Sequence, residues 1–257
     1  MIHIIVVSHF HDDYIKSLIN KINDSEFDAS SLFRIYIKDN VNSLGLREFC
    51  ASEKICYIPS LERSGFSRNN NHAVAKIIED YCVDVQEDYF LFLNPDVLVD
   101  ADTLKQLSGI LACHKYDLFT ADLYKDQNLT VRDPSVRHFP KLVNFFTSYF
   151  LGYNKSIIDR SDINTHQVVD WCAGSFLGMK CSVFNQINGF DEQFFMYCED
   201  IDICIRAKNA GYKLVYLPEL KVVHFSQNDN RTLFSKHFLW HLKSVMYMFR
   251  KHVLKVC

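Results

Sequence analysis

Acidic residues cluster in one stretch of the sequence, GFDEQFFMYCEDID, at positions 189–202. Glu199 and Asp200 follow several aromatic and apolar residues, and a carboxylate beside apolar side chains has a raised pKa. Such a group can accept a proton from a hydroxyl in general base catalysis. Acidic residues also favour the first turn of a helix, and for Asp202 this structural role is the expected one. For Glu199 and Asp200 the residues alone leave both interpretations open.

Asp96 is a second candidate, because it ends the apolar segment FLFLNPD. Pro95 restricts the chain there to an extended or turn conformation, which fixes the position of the carboxylate. A hard divalent cation such as Mg²⁺ takes one or two carboxylates and completes its coordination with water and phosphate oxygens. The alternative is an ordinary turn, since Asn-Pro-Asp is a good turn sequence.

Three further residues have two interpretations each. His224 follows an apolar segment, where an imidazole is either a ligand for a Mn²⁺-type ion or a buried core residue. Asp39 ends a predicted strand and either accepts from a base or ribose group or caps the next turn. Arg231 either pairs with a diphosphate through its planar guanidinium group or lies on a solvated basic face.

The first hundred residues alternate between strand and helix patterns. Apolar and β-branched runs predict strands at 2–7, 32–40 and 88–100, and apolar residues at helical spacing predict helices at 11–23 and 70–83. This alternation indicates an α/β fold with a mixed, mostly parallel sheet flanked by helices. Ligands of such sheets bind beyond the carboxyl ends of the strands. The residues predicted at that edge are Ser8, His9, Asp39, Asn40, Asn94 and Asp96.

The composition is that of one compact domain of 257 residues, 48% of them hydrophobic. Its formal net charge of -3 argues against a general nucleic-acid-binding protein. Neither a GxGxxG nor a GxxxxGK motif occurs, so a Rossmann dinucleotide fingerprint and a Walker A loop are excluded. The nine cysteines include no Cys-x-x-Cys pair, the N-terminus lacks signal-peptide features, and no apolar run is long enough for a membrane span. A cytoplasmic location is therefore predicted.

Two helices are predicted in the second half of the chain. One runs from about Glu199 to Ala210 and ends at Gly211. The other lies in residues 230–257, which contain six Lys and Arg and no Asp or Glu. Its helical spacing predicts one basic face and one apolar face, formed respectively by Lys236, Lys243 and Arg250 and by Phe234, Phe238, Leu242, Val245, Phe249 and Val253.

This basic amphipathic helix divides the chain into a main domain, residues 1–229, and a C-terminal segment, residues 230–257. One interpretation is that the segment docks on an anionic membrane surface, with its basic side chains near lipid headgroups and its apolar face among them. The other is that it packs on the domain or forms the seam of a homodimer.

Several motifs occur in the order found in family 2 glycosyltransferases. They are a strand followed by SH, a strand followed by KDN, GFSRNNNHAV, LFLNPDVLV, DWCAGSFLGMK, INGFDEQFFMYCEDIDICIRAKNAGYKL and VVHF. The resemblance spans about the first 225 residues and is strongest to the rhamnosyltransferases that build bacterial O-antigens. It implies a GT-A fold, an inverting reaction and a nucleotide-sugar donor, with dTDP-β-L-rhamnose as the expected one.

The resemblance also implies roles for individual residues. Asp200 would be the general base, and Glu199 would orient the acceptor or share that role. Asp96 and His224 would hold Mg²⁺ or Mn²⁺; Asn94 stands where many relatives carry an Asp, and an amide is a weaker ligand. The implied donor-binding residues are Ser8, His9, Asp39, Asn40, Asn94, Asp96 and Arg231. The implied acceptor-binding residues are Trp171, Cys172, Ala173 and Gly174.

The resemblance implies an acceptor saccharide that is linked to a polyprenyl diphosphate. It also implies that the chain attaches to the inner face of the bacterial inner membrane. Two alternatives stay open. The same fold could use a UDP-hexose donor, because donor choice depends on a few pocket contacts. A catalytically silent GT-A chain could instead serve as a scaffold in polysaccharide assembly, although the acids and the histidine needed for catalysis are present.

Overall fold

The computed structural model describes residues 1–24, 31–140, 156–225 and 236–252. Its strands are β1 (Ile2–Ser8), β2 (Phe33–Asp39), β3 (Cys56–Ile58), β4 (Tyr89–Leu93), β5 (Val97–Leu98), β6 (Leu118–Tyr124), β7 (Val136–Arg137), β8 (Gln167–Val169), β9 (Trp171–Cys172), β10 (Phe176–Lys180) and β11 (Leu214–His224). Its helices are α1 (Asp12–Asn23), α2 (Leu44–Ser52), α3 (Phe66–Asp80), α4 (Ala101–His114), α5 (Cys181–Gln186), α6 (Glu199–Asn209) and α7 (Lys236–His252).

Over the described residues, nine strands form one sheet in the order β3-β2-β1-β4-β10-β6-β11-β5, and β8 pairs with β11. Six of them, β1, β2, β3, β4, β6 and β11, run in the same direction. The other three are antiparallel to their neighbours. The predicted mixed, mostly parallel sheet is therefore confirmed.

Strand β10 lies antiparallel between β4 and β6. Its first residue, Phe176, pairs with Leu93 at the end of β4. The start of β10 thus reaches the edge at which the six parallel strands end. This arrangement brings residues 173–175, which precede β10, beside Asn94, whose backbone N–H donates to the carbonyl of Ser175 at 3.1 Å.

Helices cover both faces of the sheet, and each face has its own hydrophobic core. On one face α3, α5, α6 and α7 contribute buried apolar residues, and on the other face α1, α2 and α4 do so. All five residues of β4 are buried, as expected for a central strand between two helical layers. The site forms at the carboxyl ends of these strands.

The helix bounds follow from local sequence. Helix α3 begins at Phe66, four residues before the predicted start, because the backbone N–H of Phe66 donates to the carbonyl of Phe195 at 2.8 Å. Helix α6 ends at Asn209 and is followed by Gly211 with a φ of +92°, so the predicted glycine stop is confirmed. The segment predicted as one strand at 88–100 divides into β4 and β5 around the turn at Pro95.

Helix α7 packs on the main domain, with Met248 and Phe249 in the same core as α3 and α6. Phe249 and the half-buried Val245 belong to the apolar face that the sequence suggested for membrane contact, and both pack against protein, whereas Leu242 of that face is exposed. Of the helices that the structure describes, none combines the length and the hydropathy needed to cross a bilayer. Phe234 and Val253 lie outside the described residues.

Candidate active site

Asp96 and His224, which lie 128 positions apart in sequence, meet at the carboxyl edge of the sheet. His224 is the last residue of β11 and pairs with Val97 at the start of β5. The backbone N–H of Phe225 donates to the carbonyl of Asp96 at 3.0 Å. These contacts place Asp96 Oδ1 3.5 Å from His224 Nε2, so the two residues predicted to hold a metal are adjacent.

The other imidazole nitrogen of His224 faces a residue that sequence reasoning missed. Asp133 Oδ2 lies 3.4 Å from His224 Nδ1, and both side chains are nine-tenths buried. Burial alone would lower the pKa of His224, but the carboxylates of Asp133 and Asp96 outweigh it and raise that pKa to about 9. In the sequence Asp133 precedes a proline, a pattern that indicates only a turn.

A buried arginine holds Asp133 in place. The Arg160 guanidinium donates to the backbone carbonyl of Asp133 and lies 3.1 Å from a carboxylate oxygen of Asp122. Arg160 is 3% exposed and Asp122 is 1% exposed, so the ion pair is shielded from solvent. The loop that carries Asp133 is therefore anchored to β6, which contains Asp122.

The predicted donor-binding residues at the ends of β1 and β2 are linked by hydrogen bonds. The Asn40 side chain contacts His9 Nδ1 at 3.1 Å, and the Asn40 backbone N–H donates to the carbonyl of Ser8 at 2.9 Å. Asp39 is fully buried and accepts from the backbone N–H groups of Val41 and Ser43. The structure thus gives Asp39 the turn-capping role, and its contact with a nucleotide stays a prediction.

Glu199 and Asp200 open α6 directly after two strained residues. Tyr197 and Cys198 both have positive φ values, 72° and 65°, in the left-handed region that few non-glycine residues adopt. Such strain persists only where surrounding contacts impose it, and it concentrates at functional sites. Here it turns the chain so that Asp200 accepts from the backbone N–H of Gly174 at 3.2 Å.

Burial raises the pKa of both carboxyls at the start of α6. Glu199 is 8% exposed, its Oε2 atom has no hydrogen-bond partner, and burial with the neighbouring charge of Asp200 raises its pKa well above 4.5. Burial also raises the pKa of Asp200, although N–H donors from Ile201 and Gly174 and the charge of Arg137 oppose the shift. A carboxylate with a raised pKa accepts protons more readily, which suits a general base.

Asp202 has the structural role predicted for it. Its fully buried carboxylate contacts Arg206 Nε at 2.7 Å and Lys251 Nζ and His252 Nε2 at 2.6 Å each. Burial alone would raise its pKa, but the hydrogen bond from His252 and the charges of Arg206 and Lys251 lower it to about 2. Asp202 therefore joins α6 to α7.

The predicted acceptor stretch divides into a buried half and an edge half. Trp171 is 6% exposed and donates from Nε1 to the carbonyl of His138, and Cys172 is fully buried. Their side chains pack in the core, and the acceptor-binding role predicted for these two residues stays a prediction. Ala173 and Gly174 lie partly exposed beside Asp200, where their acceptor-binding role stays a prediction.

A close backbone contact fixes α3 beside the loop that precedes Glu199. A Cβ atom at residue 65 would lie 2.1 Å from the carbonyl oxygen of Phe195, so only glycine fits there. The ring of Phe66, the next residue, lies near Gly174, which also neighbours Asp200. The start of α3 therefore forms one wall of the site.

Both acidic clusters are hydrogen-bonded to one short segment, residues 174 and 175. Asn94, beside Asp96, hydrogen-bonds to Ser175, and Gly174 hydrogen-bonds to Asp200. Both clusters therefore contact the segment that starts β10. Arg231, the remaining predicted donor-binding residue, lies outside the described residues.

The pair of Asp96 and His224 fits a divalent cation. Two adjacent ligands of an octahedral ion with bonds of about 2.1 Å are roughly 3 Å apart, close to the 3.5 Å between Asp96 Oδ1 and His224 Nε2. His224 Nδ1 faces Asp133, which leaves Nε2 as the nitrogen that lies beside Asp96 and would bind the ion. Among the described residues no group of three or more His, Cys, Asp or Glu side chains is arranged to hold a metal. The remaining ligands would come from water and phosphate.

Residues 2–242 match the model of the family described as glycosyltransferase like family 2. The chain belongs to this family. It is 43% identical over 256 residues to rhamnosyltransferase WbbL of Escherichia coli (strain K12), covering 99% of this chain and 95% of that protein. It is also 28% identical over 210 residues to N-acetylglucosaminyl-diphospho-decaprenol L-rhamnosyltransferase of Mycobacterium tuberculosis, covering 73% of this chain and 64% of that protein.

The fold is shared with solved glycosyltransferases. The crystal structure of GalNAc-T7 with UDP, GalNAc and Mn²⁺ matches 97% of this chain and 47% of that protein, with a TM-score of 0.66 at 11% identity. At that identity the likeness concerns the fold alone, and the predicted GT-A fold is confirmed. The predicted resemblance to family 2 is likewise confirmed by the family match.

Proposed function

We propose that the chain is an inverting glycosyltransferase that moves L-rhamnose from dTDP-β-L-rhamnose to a saccharide linked to a lipid diphosphate, in the synthesis of a cell-surface polysaccharide such as O-antigen. The observation that supports the proposal is that one segment contacts both clusters: Gly174 donates to Asp200, and Ser175 accepts from Asn94, two residues before Asp96. The relative that is 43% identical is named a rhamnosyltransferase, which supports the donor sugar. The mycobacterial relative's name supports a lipid-diphosphate acceptor.

The reaction is a single displacement. Asp200 takes the proton of the acceptor hydroxyl as that oxygen bonds to the anomeric carbon of the sugar. The bond from this carbon to the diphosphate oxygen breaks on the opposite face, and the nucleoside diphosphate leaves with the bonding electron pair. Glu199, buried beside Asp200, would orient the acceptor or share the role of the base. No covalent enzyme intermediate forms.

The leaving diphosphate would lie on the Asp96 side of the segment. Asp96 and His224 would hold Mg²⁺ or Mn²⁺ there, and the bound ion supplies positive charge that neutralises the diphosphate, an electrostatic contribution on the order of several kcal/mol. Asp133 orients the His224 imidazole from its other nitrogen. Ser8, His9, Asp39 and Asn40 would border the nucleoside, at the ends of β1 and β2.

The test is a donor panel. The full chain is incubated with Mg²⁺ or Mn²⁺, with each of dTDP-rhamnose, UDP-hexoses and GDP-mannose, and with GlcNAc diphosphate carried on a short, water-soluble alkyl chain. We expect dTDP release and a rhamnosylated product with the first donor only. Release of UDP instead would establish the UDP-hexose alternative, and no release with any donor would favour a silent scaffold.

A lipid-linked acceptor brings the reaction to a membrane. The proposal therefore includes reversible attachment of the chain to an anionic membrane surface, at the inner face of the bacterial inner membrane, with a homodimer as the competing use of the C-terminal helix.

A further inference from the structure

The inner side of α7 is fully engaged by the main domain. Lys251 Nζ contacts carboxylate oxygens of Asp191 at 2.7 Å and Asp202 at 2.6 Å, and Ser244 Oγ donates to the carbonyl of Met196 at 2.8 Å. The Tyr247 hydroxyl donates to Asp191 at 2.8 Å. These contacts fix the rotation of α7 about its own axis, so the side that it turns outward is determined.

The outward side of α7 combines cations with large apolar side chains, all of them exposed. Leu239 is 56% exposed, Leu242 47% and Met246 66%. The cations are Lys236, Lys243 and Arg250. We call these six residues the outer face.

The outer face is ordered into two stripes. At about 100° per residue its six side chains lie within roughly 120° of arc, with the three cations along one edge and the three apolar residues along the other. Residues 236–252 contain no Asp or Glu, so no acid neutralises these charges within the helix. A cationic stripe beside an apolar stripe is the pattern of a helix that lies in the headgroup region of an anionic bilayer.

The same helix contacts the loop that leads to the catalytic acids. The Tyr197 hydroxyl lies 3.0 Å from His237 Nδ1, and the ring of Phe195 packs against Trp240 with centroids 4.9 Å apart. Phe195 is 44% exposed and extends the apolar surface toward the site. A bilayer under the outer face would therefore lie next to the loop before Glu199.

Resting on the proposed function, we propose that the outer face of α7 docks on an anionic phospholipid surface and so brings the start of α6 to a lipid-linked acceptor. A second copy of this chain fits the face poorly. A two-fold interface centred on the outer face would bring six cations together with no acid in either helix to neutralise them.

The experiment measures flotation of the full chain with vesicles of equal parts phosphatidylcholine and phosphatidylglycerol, and with vesicles of phosphatidylcholine alone. We expect the wild type to prefer the anionic vesicles at least tenfold. A variant with Lys236→Gln, Lys243→Gln and Arg250→Gln is expected to lose about 100-fold in partition coefficient, since each basic residue near such a surface contributes several-fold. A second variant with Leu239→Ser, Leu242→Ser and Met246→Ser should also lose binding.

The matched control has the same change in charge outside α7, Lys21→Gln, Lys125→Gln and Lys213→Gln, at exposed positions. It should bind anionic vesicles much more tightly than the outer-face variants. Equal binding of wild type to both vesicles, or equal loss in control and outer-face variants, would overturn the docking proposal. A wild-type dimer that Leu239→Ser and Met246→Ser dissociate in sedimentation equilibrium would also overturn it, in favour of a second copy.

Transfer to the water-soluble acceptor separates this proposal from the proposed function. Outer-face variants should rhamnosylate that acceptor at the wild-type rate, because none of the six residues lies in the catalytic site. Vesicle binding without any transfer from dTDP-rhamnose would remove the proposed function alone, and transfer without selective vesicle binding would remove the docking proposal alone.

Discussion

Asp200 and Asp202 stand two residues apart in the first turn of one helix, and their surroundings are opposite. Asp202 is surrounded by Arg206, Lys251 and His252, which lower its pKa to about 2. Asp200 accepts only backbone N–H groups in the hydrogen bonds described here, and burial raises its pKa. In the same helix, Asp202 thus has a structural role, and Asp200 stays basic enough to accept a proton.

The difference shows that position at a helix N-terminus does not decide the role of an acid. The helix dipole acts on all three acids of this turn, yet the partners that the tertiary fold supplies outweigh it. A function can therefore be assigned to each acid only after its neighbours are known.

The largest effect is expected for Asp200→Asn. Removing the general base should lower the transfer rate by about 10³-fold, within the usual range for such groups, while nucleotide binding and thermal stability stay near wild type. The measurements are dTDP release, dTDP binding by calorimetry and thermal unfolding, with Glu192→Gln at an exposed site as control. Near-normal turnover by Asp200→Asn would remove this residue from the base role.

Asp202→Asn should give the converse result. Arg206 and Lys251 would lose their buried counter-charge, which costs about 3 kcal/mol of folding free energy, while the rate per folded molecule changes little. Urea unfolding measures the first quantity and steady-state kinetics the second. As a control, Glu79→Gln removes an exposed ion pair with Lys76 and should leave stability unchanged. A loss of rate without a loss of stability would reverse the roles of the two acids.

Asp133→Asn tests a third environment, that of an acid beside an imidazole. It removes the charge next to His224 Nδ1 but keeps the backbone carbonyl that Arg160 contacts. We expect Mn²⁺ affinity to fall by about 10-fold to 100-fold, as for other partners of metal-binding histidines. Electron paramagnetic resonance of free Mn²⁺ measures this directly, with Asp126→Asn on an exposed loop as control. Unchanged Mn²⁺ affinity would leave Asp133 with no role at the site.

The smallest expected effect is on the pH dependence of folding stability. Its sign is opposite for Glu199, whose pKa is raised, and for Asp202, whose pKa is lowered. Because the pKa of folded Glu199 lies well above 4.5, the folded state takes up that proton first, and stability rises as pH falls from neutral toward 4.5. Asp202 contributes stability above pH 3.8, and this is lost as pH falls toward its folded pKa of about 2. Urea unfolding across this range should show that Glu199→Gln lacks the gain above 4.5. A wild-type slope in Glu199→Gln would contradict the raised pKa.

The sequence predicted the residues at the edge of the sheet well, because a strand and its end are recognisable from a short stretch of sequence. An apolar run followed by Asn94, or by Ser8 or Asp39, marks where a parallel strand ends, and the structure places all three ends together. The meeting of Asp96 with His224 followed from the family resemblance, and the pairing of β5 with β11 explains it.

What the sequence could not predict depends on partners far along the chain. Asp133 lies in a polar turn, and only the packing of Arg160 between it and Asp122 brings it to His224. Helical periodicity also could not predict which side of α7 packs on the main domain, because both sides of the helix contain basic and apolar residues. Contacts with distant residues set that orientation, among them the ion pairs of Lys251 with Asp191 and Asp202.

Main-chain atoms, rather than side chains, set the gap between α3 and the loop before Glu199. Residue 65 has no room for a Cβ atom against the carbonyl of Phe195, and the Phe66 N–H bonds to that carbonyl. The exposed side chain at position 195 can therefore be exchanged without moving α3 relative to this loop.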